Sequence, residues 1–166
     1  MDLLIQNSRN LGIQDCEHLV KFKQALQATQ MISKNERSYS FTTYSSEMAA
    51  DLAAHGVLPN KTFSTTPAQV SPELEKHYWR GVIDGDGYIS KDRKQLVLVG
   101  DYEVIVGFQS FVLARCPKVK ASIFRNLNIY TFKVTGTAAL KMFEILCGEA
   151  TVYLDRKHER AKPNIP

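Results

Sequence analysis

The residues best suited to chemistry lie in one short run, Asp84-Gly85-Asp86-Gly87. Upstream, helical spacing through Leu74, Tyr78, Gly81 and Val82 predicts a helix that ends at Asp86. The C-terminal end of a helix is negative, so a carboxylate there is locally unfavourable. Two such ends placed side by side would repel each other unless a cation sat between them. An oxygen-rich site of that kind suits Mg²⁺, which keeps waters and accepts phosphate oxygens. Gly81 and Gly85 are four apart, so they share one helix face and leave it bare of side chains. A second helix can approach such a face closely. Spacing alone leaves a plain helix-to-strand turn open as the other reading of Asp-Gly-Asp-Gly. A calcium loop starting at Asp84 is excluded, because Tyr88 and Ile89 occupy positions that need a ligand and a glycine, and Gln95 replaces the closing glutamate.

The helix that carries this run is expected to open at Ser71 as cap and Pro72 as first residue, with Glu73 and Glu75 in its first turn. After Gly87 the pattern predicts strands over 88–90 and 95–99, joined by the charged turn Lys91-Asp92-Arg93-Lys94. A helix over about 102–114 ends at Cys116-Pro117. Two more strands are expected near 118–124 and 129–134, with a polar turn at Arg125-Asn126 between them. A long helix from Thr137 to about Cys147 and a short basic helix over 154–162 complete the order. Helix, two strands, helix, two strands, helix describes an α+β domain with one antiparallel sheet. Strand alternation turns Leu96, Leu98, Tyr130, Phe132 and Val134 toward the helices. The other face then carries Tyr88, Ser90, Gln95, Val97, Ile129, Thr131 and Lys133, with Lys120 and Ser122.

The beginning of the chain repeats part of this plan. Asp15-x-Glu17-x-x-x-x-Phe22 matches Asp101-x-Glu103-x-x-x-x-Phe108, and Tyr39-Ser40-Phe41 matches Tyr130-Thr131-Phe132. The segment from Ser46 to His55 parallels the helix that starts at Thr137, and Lys61 falls near the place of Lys157. The leading helix and its acidic end have no counterpart. Three parts are therefore expected: an incomplete copy over 1–61, a Ser/Thr/Pro-rich linker over 62–72, and a complete domain over 73–166.

The stretch Tyr78-Trp79-Arg80-Gly81-Val82-Ile83-Asp84-Gly85-Asp86-Gly87-Tyr88-Ile89 resembles the LAGLIDADG signature of homing endonucleases, with Trp79 to Gly87 filling its nine positions. Gly81, Ile83, Asp84, Asp86 and Gly87 match outright; Val82 and Gly85 are common variants. Trp79 and Arg80 depart from the usual apolar and small residues, away from the acidic end. The resemblance implies the αββαββα fold with a saddle-like antiparallel sheet, and the first copy is then a LAGLIDADG-like half without its first helix. It also implies site-specific hydrolysis of phosphodiester bonds on both strands of DNA, with Mg²⁺ or another divalent cation. Asp86 would be the metal ligand, with backbone oxygen from Gly85. Lys157 matches a basic residue placed near the cut site, Lys61 would be its partner in the first copy, and Gln14 fills the polar position before the second helix, where Gly100 supplies no side chain. The turns at Lys91, Arg93, Arg125 and Asn126, with Lys118, would reach phosphates, and the open sheet face would read base edges in the major groove.

This logic needs two acidic helix ends and the sequence shows one. The second is expected from a homodimer mate or a complementary fragment; otherwise the chain binds nucleic acid without cutting, as an RNA maturase or a DNA-binding fragment. A transcription regulator fits less well, because no helix-turn-helix module is evident.

Charge supports a polyanionic partner. Residues 1–70 balance, whereas 71–166 carry the whole net charge of +4, and no acid separates Glu103 from Glu144, a stretch holding Arg115, Lys118, Lys120, Arg125, Lys133 and Lys141. Cys16, Cys116 and Cys147 lack metal or disulfide spacing and read as small buried residues, and the four histidines form no ligand set. With no apolar run long enough to span a bilayer and no signal-peptide pattern, an intracellular protein with no membrane contact is expected.

Overall fold

The computed structural model describes residues 8–57, 66–120 and 122–162. The chain divides into two compact units, Met1–Asn60 and Lys61–Pro166. The first unit contains β1 (Ser8–Ile13), α1 (Cys16–Ala25), β2 (Ile32–Lys34), β3 (Tyr39–Tyr44) and α2 (Ser46–Ala54). The second contains α3 (Glu75–Asp86), β4 (Gly87–Ile89), β5 (Gln95–Gly100), α4 (Tyr102–Arg115), β6 (Ile123–Asn126), β7 (Ile129–Thr135), α5 (Gly136–Cys147) and α6 (Asp155–Ala161). The second unit is thus α+β, built on one antiparallel sheet of order β4-β5-β7-β6.

Alternation along β5 and β7 builds its core. Leu96, Leu98, Phe132 and Val134 are fully buried on one face of the sheet. Packed with them in one cluster are Trp79 and Ile83 of α3, Ile105, Phe108 and Phe111 of α4, and Met142, Phe143 and Leu146 of α5. Trp79 lies against Phe108 and Phe111 with ring centroids 5.3 and 6.0 Å away. Such aromatic pairs add to simple area burial. All three helices therefore cover the same face, and the opposite face is open.

In the first unit the three strands order as β1-β3-β2, which repeats β5-β7-β6. The ladders repeat as well: Leu11 and Ile32 flank Phe41 as Leu98 and Ile123 flank Phe132. Phe41 and Phe132 are both buried at the centre of their sheets. Among the described residues the first unit has no counterpart of α3 or β4. Register also adjusts one correspondence. Ile13 pairs with Tyr39 as Gly100 pairs with Tyr130, so Gln14 is an extra residue between strand and helix and does not stand at the place of Gly100.

Two local differences from expectation have simple causes. The hairpin between β6 and β7 turns at Leu127-Asn128, not at Arg125-Asn126; Leu127 takes a left-handed φ of 55° and Arg125 stays in the strand. The second half of the expected linker is docked. The Ala68 N–H donates to the Tyr78 hydroxyl at 3.1 Å, and a Cβ on Gly107 would come within 2.6 Å of Pro67 and 3.1 Å of the Trp79 ring. Gly107 therefore leaves the room that lets this segment lie on α4.

Candidate functional site

Helix α3 runs directly into β4, and Gly87 makes the junction possible. A Cβ there would sit 2.7 Å from the Ile83 carbonyl oxygen, closer than side chains tolerate. The two acids of the run have different fates. Asp86 is the exposed last residue of α3. Asp84 is half-buried, and its Oδ2 accepts the Leu154 N–H at 3.1 Å. One carboxylate is spent inside the protein and the other faces outward.

Lys157 is buried, with 5% of its surface exposed. Its ammonium donates to the carbonyls of Ile83 and Asp84 at 2.7 Å each and lies 3.4 Å from that of Gly85. These are carbonyls of the last turn of α3; that of Ile83 also accepts the Gly87 N–H. Burial lowers the Lys157 pKa, and the charge of Arg156 adds to this, against the opposite pull of Asp84 and Asp86. The amine that resemblance assigns to the cut site is thus engaged as the C-terminal cap of the acid-bearing helix.

Arg160 donates to the Ile89 carbonyl at 3.2 Å. Arg80, also buried, donates to Val152 O at 3.0 Å and Leu146 O at 3.3 Å. Asp84, Lys157, Arg160 and Arg80 together form a latch that ties α6 and the segment before it to the junction of α3 and β4. The motif's departures are explained here: Trp79 fills the core and Arg80 reaches the latch. Asp84 and Arg80 were not predicted as functional; the signal was their four-residue spacing on one face of α3, facing a basic helix. Cys147 lies beside the latch, and burial pushes its thiol up to about 11, which keeps it protonated and inert near neutral pH.

The opposite face of α3 is open. A Cβ built at Gly81 or Gly85 would meet nothing within 4 Å.

On the open face of the sheet, Tyr88 and Ile129 are 50% and 52% exposed, Lys133 is exposed, and Gln95, Val97 and Thr131 are half-buried. Ser90 is not among them. It is buried, its hydroxyl donating to Asp92 at 2.6 Å and accepting the Gln95 N–H at 2.9 Å, which shapes the β4–β5 turn. Arg93 sits in that turn with φ 58°, and Lys91 is exposed there. Arg125 points to the helix side, opposite Tyr130, and donates to the Leu127 carbonyl at 2.9 Å. Arg115 bonds Glu75 at 2.8 Å and stacks on Phe111. The basic stretch therefore presents chiefly Lys118, Lys120 and Lys133, all exposed, with Ser122 and Asn126 also exposed. Phe124, 61% exposed on the open face, was missed, although it shares the parity of Lys120 and Ser122. Gln14 is exposed in the first unit, and Lys61 lies outside the described residues.

No protein-family model and no curated protein matches the chain. Solved structures do. Full-length WhiA from Thermatoga maritima matches with a TM-score of 0.56 at 13% identity, over 97% of this chain and 54% of WhiA, so the chain spans about half of that protein's length. Mesophilic variants of the homing endonuclease I-DmoI match at 0.59 and 13%, over 92% of this chain and 81% of theirs. The LAGLIDADG meganuclease I-AabMI, bound to uncleaved DNA, matches at 0.54 and 11%, over 92% and 78%. The chain carries a LAGLIDADG-like fold.

Proposed function

We propose that this chain is an intracellular DNA-binding protein that lays the open face of its second-unit sheet on duplex DNA and presents Asp86 to a backbone phosphate. On this reading it is one half of a metal-dependent phosphodiester hydrolase. The observation that carries the proposal is the position of Asp86. It is exposed at the end of α3, directly before β4 and its outward Tyr88, beside a helix face that Gly81 and Gly85 leave bare. I-AabMI, with a similar fold, was solved on DNA, which supports nucleic acid as the partner.

The residues present fit a hydrated divalent cation in part. Asp86 supplies one carboxylate, and Mg²⁺ is commonly held by one or two carboxylates together with substrate phosphates. The Gly85 carbonyl is a poorer donor than expected, because the Lys157 ammonium stands 3.4 Å away. No group of three His, Cys, Asp or Glu residues that could hold a metal occurs among the described residues. When bound, such a cation would activate water and offset the charge that develops on phosphorus. Asp86 would hold it, Lys118, Lys120 and Lys133 would hold the backbone by charge, and a second acidic helix end would dock on the bare face of α3. That second end would come from another copy or a complementary polypeptide.

A second reading, binding without cleavage, is favoured by the use of Lys157 as a helix cap. It covers a DNA-binding fragment or an RNA maturase.

Mg²⁺-dependent cleavage of a randomised duplex library separates the two. Site-specific double cuts, lost in Asp86→Asn, are expected if the chain recruits a second carboxylate. Salt-sensitive binding without cutting, unchanged in that variant, would reject hydrolysis by this chain alone.

A further inference from the structure

The open face of the second-unit sheet carries more apolar surface than a face meant only for water. Tyr88, Phe124 and Ile129 are 50%, 61% and 52% exposed, and strand pairing sets them in rows. Tyr88 stands beside Val97 and Lys133, and Phe124 beside Thr131 and Val99; Ile129 faces Asn126. Contiguous exposed apolar side chains mark a surface that a partner covers. Charge identifies the partner. Lys133 stands within the rows, Lys118 and Lys120 are exposed on the segment leading into β6, and no residue of β5, β6 or β7 is acidic. The occupant is a polyanion that also offers apolar groups at its recognition surface. In the major groove of duplex DNA, the apolar group on a base edge is the C5-methyl of thymine.

We infer that these rows read thymine methyls, so that Phe124 and Ile129 set a preference for thymine-bearing steps. This rests on the duplex-DNA reading above and names the chemistry by which that face selects sequence. Covering one methyl is worth about fourfold in affinity, so a loss of about fourfold or more is expected when the contacted methyls are removed.

The test uses the full chain and duplexes enriched from a randomised library. These are resynthesised with deoxyuridine in place of thymidine, which deletes only the methyl, and binding is read by fluorescence anisotropy at one fixed salt concentration. Wild type should bind the deoxyuridine duplex about fourfold or more weakly. That difference should shrink toward none in Phe124→Ser and Ile129→Ser, two exposed sites whose thermal unfolding confirms an intact fold. Equal binding of both duplexes by wild type, or a loss undiminished in both variants, would overturn the inference while leaving duplex binding intact. Failure to retain any duplex would overturn the duplex reading with it. Tighter binding to the single strand of the same sequence would overturn methyl reading in favour of unpaired bases stacked on Tyr88 and Phe124.

Discussion

Lys157, whose type invites a catalytic role, also has a structural one in the last turn of α3. Two carbonyl oxygens at 2.7 Å and a buried ammonium form a charge-assisted cap on the negative end of α3. Lys157→Met keeps most of the stem and removes the donor, leaving the Asp84 carbonyl without it and the Ile83 carbonyl with the Gly87 N–H. The desolvation cost of the ammonium disappears with it, which offsets part of the loss. The expected result is a destabilisation of about 1–3 kcal/mol, read as a lower urea midpoint with unchanged slope. Lys133→Met, on the open face, should stay within about 0.5 kcal/mol of wild type and weaken DNA binding instead. Equal urea midpoints for the two variants would show that the cap contributes nothing. Asp86 was legible because nine consecutive residues fix its place at the end of a helix. The engagement of Lys157 was not, because Ile83 and Lys157 are 74 residues apart in sequence and the contact exists only once α6 is folded back.

At the scale of elements, strand period and helix period carried most of the second unit, including which residues of β5 and β7 face the core. Boundaries slipped where one residue decided them. Leu127, an aliphatic residue in the left-handed region, gives no turn signal, whereas Asn126 does and sits in a strand. The role of α6 was not visible either. Its seven residues are too few to be stable alone, and it is held by side chains that reach backbone atoms of other elements. Asp84→Ala removes the acceptor of the Leu154 N–H at the N-terminal end of α6. Amide exchange across Asp155–Ala161 should accelerate in this variant through local opening. Asp86→Ala should leave that protection as in wild type, since Asp86 is outside the latch. Equal protection of α6 in wild type and Asp84→Ala would remove Asp84 from the latch.

Over the whole molecule, the two units differ more in core than in topology. The second buries a cluster of seventeen residues, drawn apart from Cys116 from three strands and four helices, whereas the first, among its described residues, buries Leu19, Phe41 and Ala49 as its apolar core, with Phe22 edge-on to Phe41. Ordering a residue costs roughly 1–2 kcal/mol in backbone entropy, and small units recover this poorly because they bury a smaller share of their surface. A polypeptide of residues 66–166 should therefore unfold cooperatively on heating, followed by circular dichroism, while residues 1–60 alone should show no cooperative transition. A sharp transition in the isolated first unit would mean that a smaller buried core than that of the second unit suffices for cooperative folding. Function follows the same division. Asp86, the bare glycine face and the open sheet all lie in 66–166, so that polypeptide should bind DNA with the salt dependence of the full chain. It would still present a single acidic helix end, and cleavage of both strands would depend on a second one docked against Gly81 and Gly85.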